Sequence, residues 1–548
     1  MASTFPDQPL ARAPARPTPV RRRRRAPAWI AAPAVLVVVV ALLPLVYLVV
    51  RAGGAGPDAV ALLGSARTWA VLGRSLLLAG LTTAASIALG VPLAWLVTRT
   101  DLPGRRIWAV LVALPLVVPS FIGAFTYIAA LGPRGMLQSL LSGLGVDRLP
   151  EIYGLPGAVL TITMFAYPYV LLTVRGALLG MDPALEDASR SLGRPAAATF
   201  RAVTLPLLRP AIGAGGLLVA LYTLSDFGAV SLMRYDSFTR VIFTSYRAAF
   251  DRTPAAVLAV VLVAVTVVVL SVETRLGDRS AGYRVSARGR RPPPTVALGR
   301  WRVPALLLCT AVVTLALVVP LSVLLFWLVR GVGAGEPLRL AADTWVAAWR
   351  SLQASALAAG CAVAAAVPVV VWRVRHDSLG ARLAERATYL SHALPGIVVA
   401  LSLVFLGARY GGPLYQSLAV LVLAYVTLFL PQAVGAAHAS LLQVPPNLEE
   451  AGRGLGLRGP QVLRRITLPL VLPGLLSGGA LVFLTAMKEL PATLLLGPTG
   501  YRTLATAVWG ATVESFYARA AAPALVLIAL SSLPLALLLH RRERRWRP

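Results

Sequence analysis

The chain has 548 residues, of which 57% are hydrophobic and only 14% charged, with a formal net charge of +30. Ordinary soluble domains carry about a quarter charged residues, so a bilayer is the expected solvent for this one. The positive charge does not mark a nucleic-acid binder, because it falls between apolar runs and not along an amphipathic face with interleaved aromatics.

Residues 1–27 are rich in Pro, Ala and Arg and include Arg21–Arg25. They predict a disordered, basic cytoplasmic tail. The arginine run followed by apolar residues resembles a signal peptide, but the run is long enough to span a membrane. It is read as the first membrane helix. Twelve segments have the length and apolarity to cross: 28–50, 72–98, 107–131, 156–180, 206–231 and 255–272, then 303–329, 352–372, 387–407, 415–437, 469–487 and 520–540. The fold class is an all-α integral membrane protein. A polar linker, 273–302, contains "RGRRPPP" and divides the chain into a first repeat, 28–272, and a second, 303–540. Residues 541–548 form a second basic tail. With the N-terminus cytoplasmic, both tails, the linker and every second loop hold more than two-thirds of the 52 Arg and Lys residues. That bias predicts cytoplasmic termini.

The two halves repeat each other. "EDASRSLGRPAAATFRAVTLPLLRP" begins at Glu186, and "EEAGRGLGLRGPQVLRRITLPLVLP" begins at Glu449. Arg74, Ser75, Leu76, Pro92 and Arg99 likewise align with Arg350, Ser351, Leu352, Pro368 and Arg375. Six crossings per half is an even number, so the repeats are parallel and a pathway is expected between them.

Each repeated loop, 182–210 and 445–473, predicts a short helix, a break and a second helix. Asp182 is placed to cap the first helix and Pro183 suits its first position. In the second copy Pro445 replaces the capping Asp, which leaves Asn447 as the cap of a shortened helix. Leu185, Ala188 and Leu192, matched by Leu448, Ala451 and Leu455, make a narrow apolar stripe that wants a partner surface. Gly193 and Gly456 end the helices. Pro206 and Pro469 start the next ones.

"EDA…G…TLP" and "EEA…G…TLP" resemble the EAA loop of the permease subunits of binding-protein-dependent ABC importers. The resemblance implies the type I importer permease architecture. It also implies that Glu186, Ala188, Gly193 and Pro206, with Glu449, Ala451, Gly456 and Pro469, form ATPase-coupling loops. Asp187 and Glu450 stand where that motif has its first Ala. Two ABC ATPase subunits and a substrate-binding protein are the implied partners, in a bacterial plasma (inner) membrane. The six-plus-six layout, "SDFGAVSLMRYDSFTRVIFTSY" from Ser225 and "MKELPATLLLGPTGYRTLAT" from Met487 resemble ferric-iron importer permeases. Similar permeases carry thiamine, phosphonates, sulfate or molybdate.

No GxxxxGK[ST] phosphate loop occurs, so no cofactor is expected on this chain. ATP and Mg belong to the ATPase partners, and the chain is not expected to be an enzyme. Cys309 and Cys361 read as small apolar residues. The four histidines have no ligand spacing, so no metal site is predicted. Asp226 and Glu489 align under the repeat and lie close to membrane depth. They are either cargo-pathway residues or structural groups that cap helices or pair with Arg234 and Lys488. Tyr222, Tyr235 and Tyr246 could add oxygen ligands or form an interfacial belt. A secondary transporter is the competing function, although it leaves the two loops unexplained. A membrane enzyme would need clustered acids or histidines, and none is visible.

Overall fold

The computed structural model describes residues 26–54, 56–248, 253–278, 295–333, 337–392 and 394–544. Residues 1–25, 279–294 and 545–548 lie outside the described residues, and with them nearly all of the N-terminal tail, the middle of the linker and the end of the C-terminal tail. Among the described residues the chain is helical, with one isolated bridge between Thr100 and Val296.

In the first repeat the main helices are α1 (Ala28–Gly53), α2 (Ala66–Arg99), α3 (Ser120–Leu131), α4 (Leu155–Gly180), α5 (Pro183–Ser191), α6 (Leu205–Ser225), α7 (Gly228–Leu232) and α8 (Thr253–Asp278). The second repeat opens with α9 (Arg302–Val313). A π turn, Thr314–Val318, leads from it into α10 (Val319–Gly333). There follow α11 (Pro337–Arg375), α12 (Leu379–His392), α13 (Gly396–Tyr410), α14 (Leu418–Leu441), α15 (Pro446–Gly454), α16 (Leu468–Met487), α17 (Pro491–Leu496) and α18 (Tyr517–Arg544). Nine helices among the described residues are long and apolar enough to cross a membrane, or eleven when each bent pair counts as one span. The predicted twelfth span falls on α18, whose described apolar part is Tyr517–Ser532.

Three predicted spans differ from the structure. The span at 107–131 is broken: its two limbs meet at 97° around Val118 and Pro119. A proline disfavours the helical conformation in the residue before it, and Val118 is extended at ψ 121°. The span at 387–407 breaks in the same way before Gly396, with Pro395 extended at ψ 142°. The span at 206–231 ends at Ser225, and a separate short helix, α7, follows the break.

Each repeat is built on three mutually packed helices, α2, α4 and α6 in the first and α11, α14 and α16 in the second. The opening helices are exchanged. α1 packs on α11, α12 and α13 of the second repeat, whereas α10 packs on α3 of the first. Tyr127 donates from its hydroxyl to the Leu315 carbonyl at 2.8 Å across that join. Phe227 and Trp509 meet with ring centroids 5.2 Å apart.

The repeated "RSL" also has a structural reason. Ser75 Oγ accepts from the Phe238 amide at 2.9 Å, and Ser351 Oγ accepts from the Leu504 amide at 2.8 Å. Tyr235 and Tyr501 each donate to the carbonyl of the preceding arginine, Arg74 or Arg350, at 2.8 Å. The Tyr235 hydroxyl is therefore engaged in fastening two segments of the first repeat. Ser351→Ala strands a buried amide, which costs about 1–3 kcal/mol. A melt of the purified variant is expected to fall accordingly, and an unchanged melt would contradict this role.

Candidate functional site

Two places combine polar groups with the repeat. The first is the pair of loop helices. Asp182 Oδ1 accepts from the Ala184 amide at 3.0 Å and caps α5. The second copy is not capped as expected. Pro445 stands at the N-cap with no side-chain bond, so Asn447 does not cap, and α15 keeps nine residues like α5. Pro183 and Pro446 set the first turn in each case, which is sufficient to start the helix without a side-chain cap. Gly193 (φ 78°) and Gly456 (φ 86°) close the helices in the left-handed conformation.

The glutamates of the two loops point inward. Glu186 and Glu449 are each 4% exposed. Arg99, at the end of α2, pairs with Glu186 through Nη2, and Thr204 Oγ1 donates to the same Oε1 at 2.8 Å. In the second repeat Arg375, at the end of α11, reaches Glu449 Oε1 through Nε at 2.9 Å. Thr467 Oγ1 donates to it at 3.0 Å. Both threonines are the last residue of a π turn, Phe200–Thr204 or Leu463–Thr467, that leads into α6 or α16. Pro206 and Pro469 sit in the first turn that follows.

The opposite face of each loop helix is open. Leu185 and Leu448 are about half exposed, and Leu192 and Leu455 are 81% and 86% exposed. Ala188 and Ala451 are exposed beside them. Both loops share one side of the molecule with the start of α1 and the returning linker. Trp29 lies against Gly459, and the Val296 amide donates to the Arg99 carbonyl at 2.7 Å.

The second place is a cavity of about 270 Å³ between the repeats. The first repeat lines it with Pro119, Ser120, Tyr222 and Asp226. The second adds Gly396, Gln432, Lys488 and Glu489. All four chain breaks therefore open onto one space: those before α3 and α13, and those after α6 and α16. Non-helical backbone at membrane depth is tolerated where it lines a cavity or is covered by protein.

Asp226 caps α7, accepting from the Ala229 and Val230 amides at 2.9 and 3.3 Å and from the Ser120 hydroxyl. Glu489 accepts from the Ala492 amide at 3.2 Å. The two sites solve one problem differently. Where the first repeat has Ser120 and a short Asp, the second has Gly396 and a longer Glu. A Cβ on Gly396 would stand 2.5 Å from Glu489 Oε1. Neither acid has an ion-pair partner among the described residues. Lys488 instead donates to the Leu116 carbonyl of the other repeat at 2.8 Å, and Arg234 lies over the Tyr153 ring. Gly396→Ala is expected to displace the Glu489 carboxylate, at a cost of about 1–3 kcal/mol for overpacking, and to lower transport in an assembled complex. Wild-type uptake by that variant would show that the carboxylate position is immaterial.

Sequence reasoning missed Ser120, Gly396, Arg99 and Arg375 as site residues. The signal for the arginines was present, since both were already aligned by the repeat together with Thr204 and Thr467.

The model of the family described as "Binding-protein-dependent transport system inner membrane component" matches the chain twice, over residues 86–281 and 359–547. The chain belongs to that family. The Fe(3+)-transport system permease protein FbpB 2 of Haemophilus influenzae is 34% identical to this permease over 521 residues, 94% of this chain and 98% of that one. The thiamine transport system permease protein ThiP of Escherichia coli K12 is 25% identical over 88% of this chain and 91% of its own length. The molybdenum transport system permease protein ModB of the same organism is 31% identical over 167 residues, 29% of this chain and 69% of that one. The fused, two-repeat permease architecture is common to the match and the fold.

Proposed function

We propose that this permease carries ferric iron inward across a bacterial plasma membrane. A separate substrate-binding protein delivers the cargo, and two ABC ATPase subunits drive the cycle, one under each loop helix. The observation that carries the cargo is the 34% identity to an Fe(3+)-transport permease along nearly the whole of both chains. The cavity supports it. Two carboxyl groups, Asp226 and Glu489, line it together with Lys488, and hard oxygen donors suit Fe(III). The exposed leucines on α5 and α15 supply the docking surface. ATP and Mg are held by the ATPase partners. The linker, both termini and both loops face the cytoplasm on the charge bias.

A second cargo, thiamine, draws on the aromatic part of the lining, where Tyr169 and Tyr222 lie 5.7 Å apart beside Phe429. Aromatic faces attract organic cations. An oxyanion is disfavoured by the two carboxylates.

The test is uptake by iron-limited cells making the permease with its ATPase and binding protein. Labelled ferric iron is expected to accumulate, unaffected by excess thiamine. Asp226→Asn with Glu489→Gln is expected to lower uptake about tenfold, the equivalent of about 1.4 kcal/mol, with the complex intact. Thiamine uptake without iron uptake would transfer the cargo to the second reading.

A further inference from the structure

We propose that Lys488 is a latch between the two repeats: its amino group closes the join by bonding a carbonyl that the first repeat leaves unpaired, and arriving cargo displaces it. This inference rests on the reading of the cavity as the cargo path. It gives a role to the one basic group that lines the cavity beside the two acids.

Three observations carry it. First, Lys488 is the only lysine among the 52 Arg and Lys residues of the chain. Arginine serves at every other such position, and the single lysine stands where the side chain enters the cavity. The two side chains differ in the property that a latch needs. Arginine presents a rigid, permanently charged fork, whereas lysine offers a compact donor on a flexible four-carbon stem.

Second, the carbonyl it bonds is orphaned by the fold. Leu116 belongs to the 3-10 turn Leu114–Val117, which ends the first limb of the broken span. In a continued helix its carbonyl would accept from residue 119 or 120. Pro119 has no N–H, and the chain turns there by 97°. No backbone amide reaches the Leu116 carbonyl among the described residues. Lys488 Nζ supplies the missing donor at 2.8 Å, from the other repeat. A carbonyl left unpaired away from water is costly, so this bond holds the bend of the first repeat against the break of the second.

Third, the latch is one-sided. Under the repeat Lys488 aligns with Ser225. Ser225 also lines the cavity, but its side chain stops at a hydroxyl on the β-carbon. One side chain is therefore responsible for this tie.

The displacement follows from the chemistry of the donors. Lys488 lines the cavity with Asp226 and Glu489. A hard cation entering there seeks oxygen donors, and the Leu116 carbonyl is one of them, held by a residue of the lining. Cation and lysine N–H compete for that oxygen, and the flexible stem yields. The empty cavity stays closed, and cargo itself opens the tie.

The experiment uses the full permease–ATPase complex in nanodiscs, with Cys309 and Cys361 replaced by alanine. Spin labels are placed at Leu218 and Phe429, one on each repeat, where both line the cavity. Without cargo the wild type is expected to give one narrow distance. Lys488→Met keeps the length of the stem and removes the donor. Loss of a hydrogen bond of this kind is expected to raise the open population about tenfold. The cargo-free distance then broadens, and cargo-free ATPase turnover rises with it. Lys488→Arg keeps a donor and is expected to hold the wild-type distance while lowering uptake, because its fork is not released. If Lys488→Met does not fold, Lys488→Gln, which is shorter but polar, is read in the same way. A wild-type distance and turnover in the variant would overturn the inference. The displacement is read in the wild type by reductive methylation followed by mass spectrometry, since Lys488 is the only lysine side chain present. Its modification is expected to be at least about tenfold faster with ferric-loaded binding protein than with unloaded protein. Equal rates, with ATPase turnover still stimulated by the loaded protein, would overturn the displacement. Wild-type turnover that ferric-loaded protein does not stimulate would overturn the iron reading instead, and the cargo-free comparison would still decide the latch.

Discussion

Arg99→Met is expected to lower stability more than any other single change at the loops, by about 3–5 kcal/mol. The side chains of Arg99 and Glu186 are 1% and 5% exposed. Removing the cation leaves a buried carboxylate that accepts from the Thr204 hydroxyl alone among the described residues. The two desolvation costs were offset by each other, and the variant retains one of them uncompensated. The matching change, Arg375→Met, is expected to cost less. Arg375 is 10% exposed at its side chain, and Glu449 keeps a second cation, Arg453 Nη2, at 3.5 Å from Oε2. Thermal melts of the two purified variants check the order. Equal melting temperatures would show that the two clamps are energetically alike, against the geometry. The double change Arg99→Met, Glu186→Leu removes both charges and is expected to recover most of the loss, because a buried pair replaced by apolar groups is often neutral.

Leu192→Glu with Leu455→Glu is expected to do the opposite: no loss of fold and a large loss of partner. These side chains are almost fully exposed in the isolated chain, so they contribute little to its own stability. Docked against an apolar cleft, each is worth about 1.5–3 kcal/mol of burial, and a charge there adds desolvation. On the proposed docking of one ATPase subunit under each loop, the two sites act together. Retention of ATPase during purification is expected to fall at least a hundredfold, with the melt of the permease unchanged. Full retention would place the docking surface elsewhere.

Much of this arrangement can be traced to particular residues in the sequence. The apolar runs located the spans, and the repeated loops located both clamps to within a few residues. Gly193 and Gly456 adopt the left-handed conformation that their position requires. The breaks were not legible, for a physical reason. Proline alone does not break these helices: Pro92, Pro168, Pro368 and Pro431 all lie inside continuous ones. In membrane helices the freed backbone groups find other partners. The breaks at Pro119 and beside Pro395 both lie at the cavity, which Pro119, Leu394 and Gly396 line, and that placement is a tertiary fact. Asp226 had the same difficulty. Helix capping was one of its two sequence readings, but the span 206–231 ran through it, and the fold shows that it follows one helix and caps the next. The Arg99–Glu186 pair was hidden by separation. Each residue had an adequate local reason, the arginine as part of the cytoplasmic charge bias and the glutamate as an acid in the first turn of a helix. The repeat nevertheless preserved Arg, Glu and Thr together in both halves, and that co-occurrence was the available clue.

The central claim is that this chain passes ferric iron between its repeats under the drive of an ATPase that it does not itself contain. The most direct measurement is made in proteoliposomes holding the purified permease and its ATPase, with ATP inside and ferric-loaded binding protein outside. Labelled iron is expected to accumulate inside with ATP and not with a non-hydrolysable analogue, and to fail in the Leu192→Glu, Leu455→Glu permease. Accumulation that proceeds without ATP, or that is untouched by loss of the docking leucines, would contradict the account.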